Sequence, residues 1–122
     1  MTVIYLAGGM RSGWQDKVIE ACKGLRFDFR DPRNNNTKEL IEYAVIDLHH
    51  IKMSDVIFAY IEKDNPSGAG ACVECGYAKG LGKTVIVVNE KRDDRYLRFI
   101  EKVADIVFGD FDKGLDFLKK LK

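Results

Sequence analysis

The segments "DVIFAYI" (residues 55–61) and "KTVIVV" (83–88) are unbroken apolar runs, and they constrain the fold more than any other feature of the chain. A strand with one solvated face alternates apolar and polar residues. A run apolar on both faces belongs in the middle of a parallel sheet with helices over each side. The rest of the sequence supplies that covering. "TVIYLAG", ending at the Gly8-Gly9 turn, reads as a first strand, "RFDFRDP" as a short second strand stopped by Asp31-Pro32, and "DIVF" as a last strand. Between them, "WQDKVIEACKGL" carries Trp14, Val18, Cys22 and Leu25 at helical spacing. A second helix follows the polar loop "RNNNT", with Asn36 or Thr37 as its cap and Glu39 in its first turn, and runs to about Met53. Further helices are expected from about Ala71, around "RYLRFIEKVA" and over "KGLDFLKKL". This alternation predicts one domain over residues 1–122. Its fold class is a doubly wound α/β three-layer sandwich of about five parallel strands, and right-handed crossovers make 2-1-3-4-5 the leading strand order.

Composition narrows the function by exclusion. With 20 basic against 19 acidic side chains and a net charge of +1, the chain lacks the basic stripe of a nucleic-acid binder. No apolar run approaches the roughly 20 residues that span a bilayer. "MTVIYLAGG" lacks the basic start and long apolar centre of a signal peptide, and three cysteines fit a reducing compartment, so a cytoplasmic location is expected.

In doubly wound sheets, ligands bind beyond the carboxyl ends of the strands, where the strand order reverses. The segments placed there are "LAGGMRSGW" after strand one and "EKDNPSGAGACVE" after strand three. Two carboxylates on the neighbouring helices break the apolar pattern. Leu40, Ala44 and Ile51 define an inward stripe whose missing member is Asp47. A charge there is costly unless paired or used; it is either a functional group or an edge residue bonded to the preceding loop or to His50. Glu74 shares a helical face with Ala71, Ala78 and Leu81, among small residues, and is placed in the first turn, where the helix dipole favours an ionised carboxylate. That suits a nucleophile, the alternative being an acidic residue that only stabilises its helix. Tyr5, near the end of strand one, is within reach of a carboxylate on the adjacent helix.

Other signals carry less. "CVEC" has no second pair for zinc, though a redox role for Cys72 and Cys75 stays open. His49 and His50 read as surface residues. "GAG" lacks the third glycine of a dinucleotide site and "GLGK" is no P-loop. No cofactor and no metal is expected.

"IYLAGGM", "IDLHHIKMSDVIFAYI" and "PSGAGACVECGYAKGLGKTVIVV" together resemble the nucleoside 2-deoxyribosyltransferase family from Ile4 to about Val88. The resemblance implies a flavodoxin-like, Rossmann-like fold and chemistry at the N-glycosidic bond of deoxynucleosides. It makes Glu74 the nucleophile at C1′, Tyr5 the residue that holds it, and Asp47 the group that handles the proton of the leaving and entering base. A covalent deoxyribosyl-enzyme, resolved by a second base, would give net retention. Substrate-binding positions implied around it are Gly8, Gly9, Met10, Arg11, Ser12, Gly13 and Trp14 of the first loop, Asp31 after strand two, and Asp64, Asn65, Ser67, Gly68 and Gly70 before the glutamate. The partners implied are a deoxynucleoside or deoxynucleotide, a free nucleobase, and further copies of the chain in a homodimer or larger assembly with a shared site. Two features differ from the transferase pattern. The asparagine that transferases donate from a neighbouring subunit, near the last strand, has no counterpart in "VADIVFG". The first loop is similar to that of related 2′-deoxynucleoside 5′-monophosphate N-glycosidases, where an arginine binds phosphate, so hydrolysis of monophosphates is the close alternative. A nucleotide- or ADP-ribose-binding module without turnover is a third reading.

Overall fold

The computed structural model describes all residues, 1–122. Five parallel strands form one sheet, β1 (Thr2–Gly8), β2 (Phe27–Arg30), β3 (Val56–Ile61), β4 (Thr84–Asn89) and β5 (Ile106–Phe108), in the order β2-β1-β3-β4-β5. Five helices connect and follow them: α1 (Trp14–Ala21), α2 (Leu40–Lys52), α3 (Ala69–Gly80), α4 (Arg98–Val103) and α5 (Phe111–Lys119). The expected α/β sandwich and its strand order are those observed. No helix is long and apolar enough to cross a membrane.

The pleat explains why the central strands read as unbroken apolar runs. Along β3, Val56 and Phe58 enter one core with Trp14 and Val18 of α1 and Leu118 of α5. Ile57, Ala59 and Ile61 enter the other, with Ile51 of α2, Ala71, Cys75 and Ala78 of α3, and Ile100 of α4. Tyr5 and Ala7 of β1 face this second core, which puts the tyrosine under α2 and α3.

Two aspartates fasten the amino ends of the strands. Asp55, just before β3, accepts a hydrogen bond from Val3 N–H at 2.8 Å, and its own N–H donates to Val3 carbonyl. Asp105, just before β5, does the same for Val85, accepting at 2.7 Å and donating to the Val85 carbonyl. At the other end, β1 runs into Gly8 with φ 150°, where a Cβ would lie 2.5 Å from the Tyr60 carbonyl oxygen; glycine alone fits. Helix α5 likewise approaches β4 so closely at Gly114 that a Cβ would collide with Val88 Cγ2.

Several boundaries differ from the sequence expectation. Helix α3 starts at Ala69, two residues before Ala71, because Asn65 and Ser67 organise the turn that leads into it. The segment around "RYLRFIEKVA" divides into a 3-10 turn (Arg95–Leu97) and the short α4. The α2 stripe also turns out differently. Leu40 is exposed and Ala44 half-buried, so only Ile51 and Asp47 of the predicted inward set are buried. Leu40 opens the helix, with Glu39 as the N-cap residue, and both Leu40 and Ile41 of its first turn are exposed. Thr37 still serves the helix start, accepting from Glu39 N–H and donating to the Glu42 carboxylate.

Candidate active site

The Tyr5 hydroxyl donates to Glu74 Oε2 at 2.5 Å, joining β1 to α3 across 69 positions of sequence. Burial and the neighbouring glutamate push the tyrosine hydroxyl far above its ordinary range, so it stays protonated and remains a donor. Glu74 is half-buried, and its carboxyl rises to about 7. Loss of water is the main cause; the Tyr5 hydrogen bond opposes the rise and the charge of Asp47 adds to it. The expectation that the helix dipole keeps this carboxylate ionised is therefore corrected: burial governs it, and it ionises as the pH rises through about 7. With α3 beginning at Ala69, Glu74 falls in the second turn, and the dipole's influence fades within the first.

Asp47, 8% exposed, is also raised above the ordinary carboxylate range by burial, against the effects of Asn35, His50 and Tyr5. Its Oδ1 accepts from the Asn35 side-chain amide at 2.5 Å. A cleft of about 550 Å³ opens beside it, with Met10, Arg33, Asn35, Lys38, Tyr43 and Asp47 among its walls. Tyr5, Glu74 and Asp47 are brought in from three elements, with Tyr5 perturbed by both carboxylates and Glu74 by both Tyr5 and Asp47. Two carboxylates in electrostatic contact, with Asp47 in the cleft wall and Glu74 behind it on Tyr5, can divide nucleophile and acid roles between them.

The remaining predicted positions separate. Met10 reaches the cleft wall. Gly9 presents its carbonyl to the Trp14 indole N–H and the Gln15 amide, both at 2.9 Å. Trp14 itself is 2% exposed and packs against Phe58 and Tyr60, so it is a core residue and not a substrate contact. Asp31 is also unavailable: both of its oxygens accept from Arg33, which reaches on to Asp16 at 2.7 Å. Ser12 donates to Glu62 Oε1 at 2.9 Å, while Arg11 and Gly13 lie at the surface or its margin. Asn65 Oδ1 accepts from Ser67 and Gly68 N–H, and Gly68 takes φ 75° against Ile61 and Leu97. These residues shape the start of α3. Ser67 borders a second cleft, with Cys72, Asp94 and Tyr96, that shares no wall with the Asp47 cleft. Asp64 and Gly70 are exposed. His50, read as a surface residue, is half-buried with its ring Nδ1 unpartnered. Asn35 was not legible as a site residue, because three consecutive asparagines in a loop carry no periodic signal. Burial raises both thiols of the Cys72/Cys75 pair, opposite to the thiolate a redox motif needs.

The family model for nucleoside 2-deoxyribosyltransferase matches residues 4–117. The chain belongs to the nucleoside 2-deoxyribosyltransferase family. Among solved structures similar to this family member is a 2-desoxiribosyltransferase from Leishmania mexicana, at 19% identity and TM-score 0.74 over 98% of both chains. A 2-deoxyribosyltransferase from Bacillus psychrosaccharolyticus shares 27% identity, with TM-score 0.68 over 92% of this chain and 89% of that one. The CMP N-glycosidase BcmB of Clostridium botulinum shares 19% identity, with TM-score 0.66 over 99% and 100%. No curated protein sequence matches. Membership of this family supports an enzyme that acts on nucleosides.

Proposed function

We propose that this family member cleaves the N-glycosidic bond of a 2′-deoxynucleoside and passes the sugar to another base. The observation that carries the reading is the 2.5 Å hydrogen bond from Tyr5 to Glu74, with Asp47 in electrostatic contact with both. Glu74 Oε attacks C1′ as the bond to the base nitrogen breaks. The bonding pair leaves on that nitrogen, which takes a proton from Asp47. The incoming base then attacks C1′ from the vacated side, gives its proton to Asp47, and frees the glutamate with net retention. Tyr5, held protonated by its surroundings, fixes the carboxylate without competing for the reaction. Product analysis on deoxynucleosides, with and without a second free base, tests this. A base-exchanged nucleoside that disappears in Glu74→Ala supports it. No exchange and no base release from any deoxynucleoside would refute it.

A second reading has its own support. Arg11 is exposed in a glycine-rich loop, and one similar structure is a CMP N-glycosidase. The same nucleophile would then hydrolyse deoxynucleoside 5′-monophosphates, with water as acceptor. The Ser12–Glu62 hydrogen bond weighs against it, since a phosphate drawn to Arg11 would meet a carboxylate already bonded to the next residue. Base released only from monophosphates would select this reading. We also propose a homo-oligomer: Ile41 and Val45 of α2 and Val73 of α3 are exposed apolar residues on two helices packed together, and light scattering in solution tests association.

A further inference from the structure

We infer that Asn35 is the positioning residue for Asp47, fixing which of its oxygens carries the proton exchanged with the base. This rests on the role proposed above for Asp47. The Asn35 amide donates to Oδ1 at 2.5 Å, and both residues stand in the wall of the same cleft. With Oδ1 committed as an acceptor, the transferable proton belongs on Oδ2.

The loop that carries Asn35 is held from two sides. Asn34 and Asn35 N–H close a 3-10 turn on the carbonyls of Asp31 and Pro32. The guanidinium of Arg33, inside that turn, bridges Asp31 and Asp16 of α1, both at 2.7 Å. The amide is therefore presented to Asp47 by a braced loop. Asp47 is faced by Tyr5 from β1, Glu74 from α3, His50 from its own helix, and Asn35 from the loop. Arg33 and Lys38 are the cations in the cleft wall. Within this set Asn35 supplies the one neutral N–H donor bonded directly to the carboxylate, and such a donor favours the ionised form. Asp47 thereby releases its proton to a leaving base more readily than burial alone would allow.

The test compares Asn35→Ala and Asn35→Asp by following the Asp47 carboxyl carbon in an NMR pH titration, its signal identified by its loss in Asp47→Asn. Asn35→Asp keeps the shape of the side chain but removes the amide donor and adds a second carboxyl. Both variants are expected to move the Asp47 midpoint upward, Asn35→Asp by at least about tenfold in proton affinity. The pH limb of kcat assigned to Asp47 is expected to move with it, while KM changes little. An Asp47 midpoint that stays in place in Asn35→Ala, which removes the donor without adding a charge, overturns the inference and leaves Asn35 a loop-shaping residue, since the second carboxyl of Asn35→Asp would raise the midpoint by its charge alone. The titration needs no turnover, so the two readings fail separately. A shifted midpoint in a protein that exchanges no base refutes the proposed reaction alone, and base exchange with an unmoved midpoint refutes the role of Asn35 alone.

Discussion

Replacing Glu74 with glutamine is expected to abolish turnover and, at about pH 8, to make the protein more stable than wild type. The Glu74 carboxyl stands at about 7 in the fold against an ordinary 4.5, chiefly because burial disfavours its charge. A carboxyl raised on folding binds its proton more tightly in the folded state. Its contribution to stability is fully present below about 4.5 and is lost as the pH rises through about 7. At alkaline pH wild type therefore carries a poorly solvated charge that glutamine does not. The ceiling on that cost is about 3 kcal/mol. Glu74 keeps partial contact with solvent, so roughly 1–2 kcal/mol is the expected gain, about 3–10 °C in Tm for a domain of this size. Glutamine has almost the same volume and still offers an acceptor to the Tyr5 hydroxyl, which isolates the effect of charge. Thermal unfolding of both proteins between about pH 4.5 and 8 reads it directly. The gap should be widest at pH 8 and narrow steadily toward 4.5. A variant no more stable than wild type at pH 8, or a gap that ignores pH, would refute the argument from desolvation.

Tyr5→Phe removes a hydrogen bond to a charged group, worth about 1.5–3 kcal/mol, and is expected to lower kcat/KM roughly 10- to 100-fold. It should also move the acid limb of the pH–rate profile upward, because the Tyr5 bond is what restrains the Glu74 carboxyl; an unmoved limb would assign that limb to another group. Gly114→Ala, which drives a methyl group into Val88, should cost about 1–3 kcal/mol in urea unfolding without altering the pH profile of activity. Alkylation at neutral pH should modify half-buried Cys72 slowly and fully buried Cys75 more slowly still, as read by intact mass over time.

The sheet was legible because each central strand is apolar on both faces and each crossover has one permitted hand. Asp47 was legible for a related reason: it occupies a buried position on α2 where an apolar residue would ordinarily stand. Leu40 misled, since an apolar residue at helical spacing carries no mark of whether the core or the surface receives it. The charge state of Glu74 was misread because burial, which a run of small residues does not announce, governs its carboxyl, while an early start of α3 moves it out of the first turn. Asn65 and Ser67 start α3 early, and those side chains bond to backbone N–H groups within three positions of themselves, a local geometry that periodicity does not register. Asn35 was missed because its partner lies 12 positions away on another element, and only the folded loop brings them together.

Asp55 and Asp105 pin β3 and β5 to their neighbours at the amino ends of the strands, the end opposite the cleft. Register in a parallel sheet is consequently decided on the side that takes no part in recognition. Loops on the other side can lengthen, shorten or change charge without any strand slipping against the next. A scaffold divided in this way lets one arrangement of Tyr5, Glu74 and Asp47 stay in place while the loops around it change.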